Sequence, residues 1–231
     1  MKITAITGTP QQGVTYLMKE ELLKHLREGN EVTEFYPREL PPFCVGCKNC
    51  FLRGAEQCPH QSLVQPVWEA VLGADLLVFA YPVYALRAPA AIKSLLDHLC
   101  IRWLVHRPEE EMFQKTALII TNSVGAPNGS AQKDVKTSLN WMGVSRVYRC
   151  GMGMMGDIFV ERMTPKHRQA IEAKMARLAA KVKAAEPRKH MSLKVSLLFR
   201  MAKLQHRMAW RSEAAPSLDS QHYIDHGWMK R

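Results

Sequence analysis

Four cysteines stand at positions 44, 47, 50 and 58, and the last is followed by Pro59. Three thiols at a spacing of three can wrap one face of a compact metal centre, and a more distant fourth can close it. Runs of this form ending in Cys-Pro suit a 4Fe–4S cluster held by Cys44, Cys47, Cys50 and Cys58. Zinc is a second reading, less natural because structural zinc sites draw two ligand pairs from separated segments; His60 could serve it as a substitute ligand. Free or disulfide-paired thiols are the third. The clustering points to metal or redox chemistry more than to a disulfide framework. Cys100 and Cys150 stand alone in apolar stretches and read as core residues.

A second stretch, KITAITGTPQQGVTY at residues 2–16, reads as a strand, a tight loop and the start of a helix. Ile3, Ala5 and Ile6 suit a buried parallel strand, and Gly8, Thr9, Pro10 and Gly13 force a turn. The unpaired N–H groups of the helix start and the helix dipole favour an anion there. The hydroxyls of Thr9 and Thr15 and the amide of Gln11 add donors. An ordinary strand–helix turn capped by threonine is the plain alternative. GMGMMG at 151–156 matches GxGxxG, but a dinucleotide fingerprint must open directly into a helix. Here the helix begins only near Pro165, so this stretch reads as a flexible loop. No Ser–His–Asp set or carboxylate pair suggests hydrolysis.

The elements that must position these groups alternate between strand and helix. Strands are expected near 2–6, 32–36, 76–83, 116–121 and 144–149, and helices near 15–28, 63–72, 88–100, 132–142 and from 165 onward. A loop of about 25 residues carrying the cysteines separates the second strand from the second helix, and loops of that length are usually functional. Five β–α units argue for an α/β parallel sheet covered on both faces. Their number suits the flavodoxin-like strand order 2-1-3-4-5, in which ligands bind beyond the carboxyl ends of the strands. Residues 8–15, 81–87 and 121–129 would converge there. Residues 82–84, Pro82, Val83 and Tyr84, read on their own as a strand end with a packed aromatic.

The 231 residues suffice for one domain at 1–185, with the cysteine loop at 41–60, and an extension at 186–231. No apolar run approaches the roughly 20 residues of a membrane span, and no signal peptide is visible, so a cytoplasmic protein is expected. The net charge is +11, and residues 187–231 hold nine Lys or Arg against three Asp or Glu. The excess therefore sits mostly in a basic tail. No nucleic-acid motif accompanies it, and nucleic acid is not an expected partner. Residues 192–211 read as a helix with Leu197, Leu198, Met201, Leu204 and Met208 as one stripe and Lys194, Arg200, Lys203, Arg207 and Arg211 outside it. Packing on the domain or across a subunit boundary is preferred to membrane contact. His206, His222 and His226 read as surface histidines united by no ligand spacing, and Tyr223 and Trp228 as docking residues.

With these residues in view, the chain resembles the flavodoxin-like NAD(P)H-dependent FMN reductases, specifically their iron–sulfur flavoprotein branch. GTPQQGVT resembles the family's phosphate loop, GSPRxxGNT. AYPVYALRAPAAIKSLLDH resembles its flavin-contacting segment, TNSVGAPNG its third flavin loop, and DSQHYIDHGWMKR its aromatic C-terminal segment. The resemblance implies that Thr9, Gln11, Gly13, Val14 and Thr15 hold the FMN phosphate. It implies that Pro82, Val83 and Tyr84 line the isoalloxazine, with Tyr84 shaping the nicotinamide site, and that Asn122, Ser123, Val124 and Gly125 close the other side. Gln11 replaces an Arg, Val14 an Asn and His98 an Arg, and the acidic pair often found after the fourth cysteine is absent near Gln61 and Ser62. The implied activity is electron transfer from NAD(P)H through FMN to a 4Fe–4S cluster or an unknown external acceptor, in a homodimer or homotetramer. A non-enzymatic electron carrier reduced by a ferredoxin-type protein, and a flavin-free binding protein using its basic tail, are the alternatives.

Overall fold

The computed structural model describes residues 1–155, 159–185, 190–212 and 215–230. Gly156 and Asp157 of the glycine-rich stretch, and the start of the basic tail at 186–189, lie outside them. The strands are β1 (Lys2–Thr7), β2 (Glu31–Phe35), β3 (Leu76–Pro82), β4 (Thr116–Ser123) and β5 (Arg146–Gly153). The helices are α1 (Val14–Lys24), α2 (Asn49–Leu52), α3 (Gln61–Gly73), α4 (Ala90–His98), α5 (Gly129–Trp141), α6 (Pro165–Lys183), α7 (Leu193–Ser212) and α8 (Leu218–Asp225).

All pairings are parallel, in the order β2-β1-β3-β4-β5. Parallel neighbours need crossovers, and the helices supply them on both faces. Alternate strand residues point to opposite sides. Leu77, Phe79 and Tyr81 therefore join the core under α3, α4 and α5, while Leu76, Val78 and Ala80 join the one under α1 and α6. The inner strands β1, β3 and β4 are buried on both faces because both are covered, whereas the edge strands β2 and β5 are partly exposed.

Several boundaries differ from the sequence expectation. Helix α1 stops at Lys24 instead of reaching Glu28: the His25 and Leu26 N–H groups turn back onto the Leu22 and Leu23 carbonyls, and Gly29 takes a left-handed φ of 70° in the turn that follows. β4 runs on to Ser123, and β5 begins and ends later than expected. Gly151, Met152 and Gly153 are thus strand rather than loop, paired with Thr121, Asn122 and Ser123. A Cβ on Gly151 would lie 2.7 Å from that of Asn128, so the small residue there serves close packing.

A third core joins α7 and α8 to the domain through Leu104, Val195, Ala202, Tyr223 and Met229. Phe113, Phe199, Tyr223 and Trp228 form its aromatic cluster. The Tyr223 hydroxyl donates to the Leu104 carbonyl, so Tyr223 and Trp228 dock the tail. Of the expected stripe on α7, Leu198 turns inward with Val195, Phe199 and Ala202, while Leu197, Met201, Leu204 and Met208 are exposed, so the domain takes a different arc of the helix. The helix carries two apolar arcs, and the aromatic one meets the aromatic cluster. No helix among the described residues is long and apolar enough to cross a membrane.

Candidate functional site

Three loops meet at the carboxyl edge of the sheet. The first follows β1. The Gly8 N–H donates to the Ala80 carbonyl at 2.9 Å, continuing the ladder onto β3. A Cβ on Gly8 would come within 2.6 Å of Tyr81 Cβ and 2.7 Å of Ile92 Cγ1, so only glycine lets the loop press so close. Thr9 Oγ1 accepts from the Gln11 N–H at 3.2 Å and rounds the turn. Gly13 caps α1 with no side-chain acceptor, so the first-turn N–H groups are left to an anion. Gln11 is exposed beside them, whereas Val14 packs into the core and can offer an anion only its backbone.

The second and third loops are tied to the first through Asn122. Its Oδ1 accepts from the Thr15 hydroxyl, and its carbonyl accepts from the Val83 N–H at 2.8 Å. Pro82 pairs with Asn122 in the β3–β4 register. Tyr84 and Arg87 exchange backbone hydrogen bonds of 3.1 and 2.9 Å around Ala85 and Leu86, whose φ angles are 47° and 64°. Two non-glycine residues held left-handed cost about 1–2 kcal/mol each, and such strain persists only when the surroundings hold it. Asp134 on α5 is the clamp: it accepts from Arg87 Nε at 3.1 Å, Arg87 Nη2 at 2.5 Å and the Ala88 N–H at 3.1 Å. Tyr84 is thereby held outward, half exposed. In the third loop the Ser123 hydroxyl donates to the Ala126 carbonyl at 2.5 Å, and the Ser123 carbonyl accepts from the Met154 N–H at 2.8 Å. Val124 and Gly125 lie exposed at its tip.

The cysteine loop forms a separate site on the α3–α4 side. Gly46 and Lys48 take left-handed φ angles of 68° and 61°, and these kinks turn the chain between successive cysteines. Cys44, Cys47, Cys50 and Cys58 line one cavity of about 80 Å³, together with His60, His98 and Cys100. That is far below the 300–1,000 Å³ of a pocket for an organic ligand, and it suits a compact inorganic group. Burial, then the neighbouring Cys58, Cys44 and Cys47, raise the Cys50 thiol above its ordinary value. Thiols facing one cavity ionise together only when a multivalent cation shares the charge, although no three of these four sulfurs lie within 4.8 Å of one another. The donor set thus fits a metal centre.

Cys100 is corrected from a core residue to a cavity-lining thiol, pushed up to about 11 by burial and then by Cys50 and Cys44. Cys150 is buried as expected. His60 Nδ1 lies 3.0 Å from His98 Nε2, and His98 Nδ1 lies 2.8 Å from the Ser94 carbonyl. The carbonyl can only accept, so His98 carries its proton on Nδ1, His60 donates from Nδ1, and the His60 Nε2 lone pair is left for a ligand. One ligand atom each from Cys58, His60 and His98 lie within 4.8 Å of one another. The loop is tethered from afar: Arg107 donates to the Cys50 carbonyl and, through Nε at 2.9 Å, to Asp219 of α8. His106 Nδ1 meets the same Asp219 at 2.8 Å. Nothing in the spacing of Arg107 and Asp219 signalled this link.

The tail histidines are corrected in part, since His226 is exposed as expected. His206 is buried, and His222 and His226 come together with Glu109, one ligand atom from each within 4.8 Å. Arg102 holds the other side of Glu109 at 3.3 Å.

A five-stranded parallel sheet of order 2-1-3-4-5, with an uncapped helix start and two further loops at its switch point, defines the flavodoxin-like class. Within that class, the chain belongs to the NADPH-dependent FMN reductase family, whose model matches residues 1–151; it is an oxidoreductase. It is 27% identical over 158 residues to an iron–sulfur flavoprotein of Methanocaldococcus jannaschii, covering 68% of this chain and 78% of that one. It is 29% identical over 133 residues to an FMN-dependent NADH:quinone oxidoreductase of Bordetella parapertussis, covering 52% and 64%. The structure of an NAD(P)H:quinone oxidoreductase from Methanothermobacter marburgensis superposes with a TM-score of 0.61 at 13% identity, over 80% of this chain and 98% of that one, a likeness of fold.

Proposed function

We propose that this protein oxidises NAD(P)H with FMN bound at the three loops, and that the cysteine loop holds a 4Fe–4S cluster serving the same electron path. When bound, the flavin supplies the exchange between two-electron hydride chemistry and one-electron transfer, and the protein supplies placement and electronics. The observation that carries the reading is the junction at Asn122, which ties the phosphate-type loop to the Pro82–Val83–Tyr84 turn. Thr15 and the α1 first turn would hold the phosphate, and Gln11 would add a neutral donor. Val83 and Tyr84 would line one side of the ring system and Val124 and Gly125 the other. Exposed Tyr84, Leu86 and Val124 are apolar surface that a planar ring would cover. Cys44, Cys47, Cys50 and Cys58 would supply four thiolates to the cluster.

A second reading of the cysteine loop, zinc, is favoured by the grouping of Cys58 with His60, in which His98 would orient the His60 ring and not bind the metal. One sample separates the two. Protein purified without oxygen is assayed for flavin, iron, sulfide and zinc, and then for NADH and NADPH oxidation. Flavin with about four iron per chain supports the proposal. Flavin with zinc leaves an FMN reductase with a structural metal, and absence of flavin after reconstitution with FMN removes the central claim.

A further inference from the structure

Helix α7 presents an apolar arc that none of the described residues covers. Leu193, Leu197, Met201, Leu204 and Met208 recur at spacings of four or three and are 56–93% exposed. At 3.6 residues per turn they share an arc of about 80°, opposite the arc that packs on Tyr223 and Trp228. Scattered exposed apolar residues need no explanation, but five aligned along one helix do. Arg200, Arg207 and Arg211 border this arc on one side. The helix holds five Lys or Arg and no Asp or Glu.

That charge decides between occupants. A second copy offering the same helix would set five cations against five. An anionic bilayer offers headgroup phosphates to the arginines and a flat boundary to a straight stripe about 22 Å long. The Ser192 N–H donates to Ser145 Oγ at 2.8 Å, fixing the start of α7 at the amino edge of β5. That is the end of the sheet opposite the three loops. We propose that the outer arc of α7 docks this protein on an anionic lipid surface, with the leucines and methionines at the headgroup–acyl boundary and Arg200, Arg207 and Arg211 on phosphates.

The test is sedimentation of the full-length protein with vesicles of phosphatidylglycerol and phosphatidylcholine in equal parts, against phosphatidylcholine alone. Binding to the mixed vesicles, weakened by salt and slight on the neutral ones, is expected. Each arginine near such a surface is worth about fivefold, so the triple variant R200Q/R207Q/R211Q should lose roughly a hundredfold. L197E/M201E should no longer pellet while its melting temperature stays unchanged, because neither side chain is packed. Failure of the wild type to pellet with either vesicle overturns the proposal, as does equal pelleting of L197E/M201E. If the M201E change breaks an oligomer in lipid-free buffer while the wild type ignores vesicles, the arc belongs to a second copy and the proposal falls.

Discussion

The loops at the carboxyl edge and the cysteine loop are both irregular chain, yet they are held in different ways. The first set is fastened by backbone bonds that prolong the sheet: Gly8 to Ala80, Val83 to Asn122 and Met154 to Ser123. The cysteine loop is fastened by side chains far away in sequence: Arg107 on the Cys50 carbonyl, His106 against Phe51 with ring centroids 4.8 Å apart, and His98 against His60. A site carried by the strand ladder arrives with the fold. A site tethered by side chains can be loosened while the fold stands.

That difference predicts separable failures. The largest is Cys50→Ser, expected to abolish iron and sulfide incorporation while FMN binding is retained. Iron and flavin assays on one sample check it, and loss of both would mean that the two regions are one unit. Next is Lys19→Met, behind the phosphate loop. Lys19 is fully buried, 2.8 Å from Glu20 and 3.0 Å from the Tyr36 hydroxyl, and paired with Glu34. Burial raises the Glu34 carboxyl, but Lys19, Tyr36 and Arg27 outweigh it and hold it below its ordinary 4.5. Removing Lys19 should cost about 3 kcal/mol, or about 10 °C in melting temperature. Because the folded pKa of Glu34 is depressed, its stabilisation is present above about pH 4.5 and is lost as pH falls through the folded value. Melts at pH 7 and at lower pH should therefore show the gap between wild type and variant narrowing in acid.

Arg107→Met cuts the tail from the cysteine loop. It should cost about 2 kcal/mol and about 5 °C, and hasten the loss of iron in air with FMN affinity unchanged. Equal iron retention would show that α8 does not brace the loop. The smallest effect is Asn122→Ala, which leaves the Thr15 hydroxyl without its acceptor. About 1 kcal/mol, a rise of roughly fivefold in the FMN Kd, is expected by fluorescence titration, with iron content unaltered.

The same contrast governs what could be read in advance. The strand order and the three loops were legible because apolar strands alternate with helices, and because Gly8 and Pro82 punctuate the chain where the ladder ends. The four cysteines were legible from spacing alone. His98 was visible only as a departure at a flavin-segment position, and the structure turns it toward His60 instead. Cys100 read as core because its neighbours are apolar, yet it lines the cysteine cavity. Which face of α7 packs on the domain was not legible because a helix with two apolar arcs has no single stripe, and only the partner surface selects the buried one.

By itself the sequence determined the parallel α/β architecture, the glycine-bearing loop at the start of α1 and the spacing of four cysteines in one loop. These follow from local periodicity and spacing, which a linear chain displays directly. The tertiary structure alone decided that Asn122 joins two loops, that Arg107 and Asp219 brace the cysteine loop, and that Glu109 meets His222 and His226. Those contacts join residues 57 to more than 100 positions apart, and no local rule links them until the sheet and its helices bring them within hydrogen-bonding range.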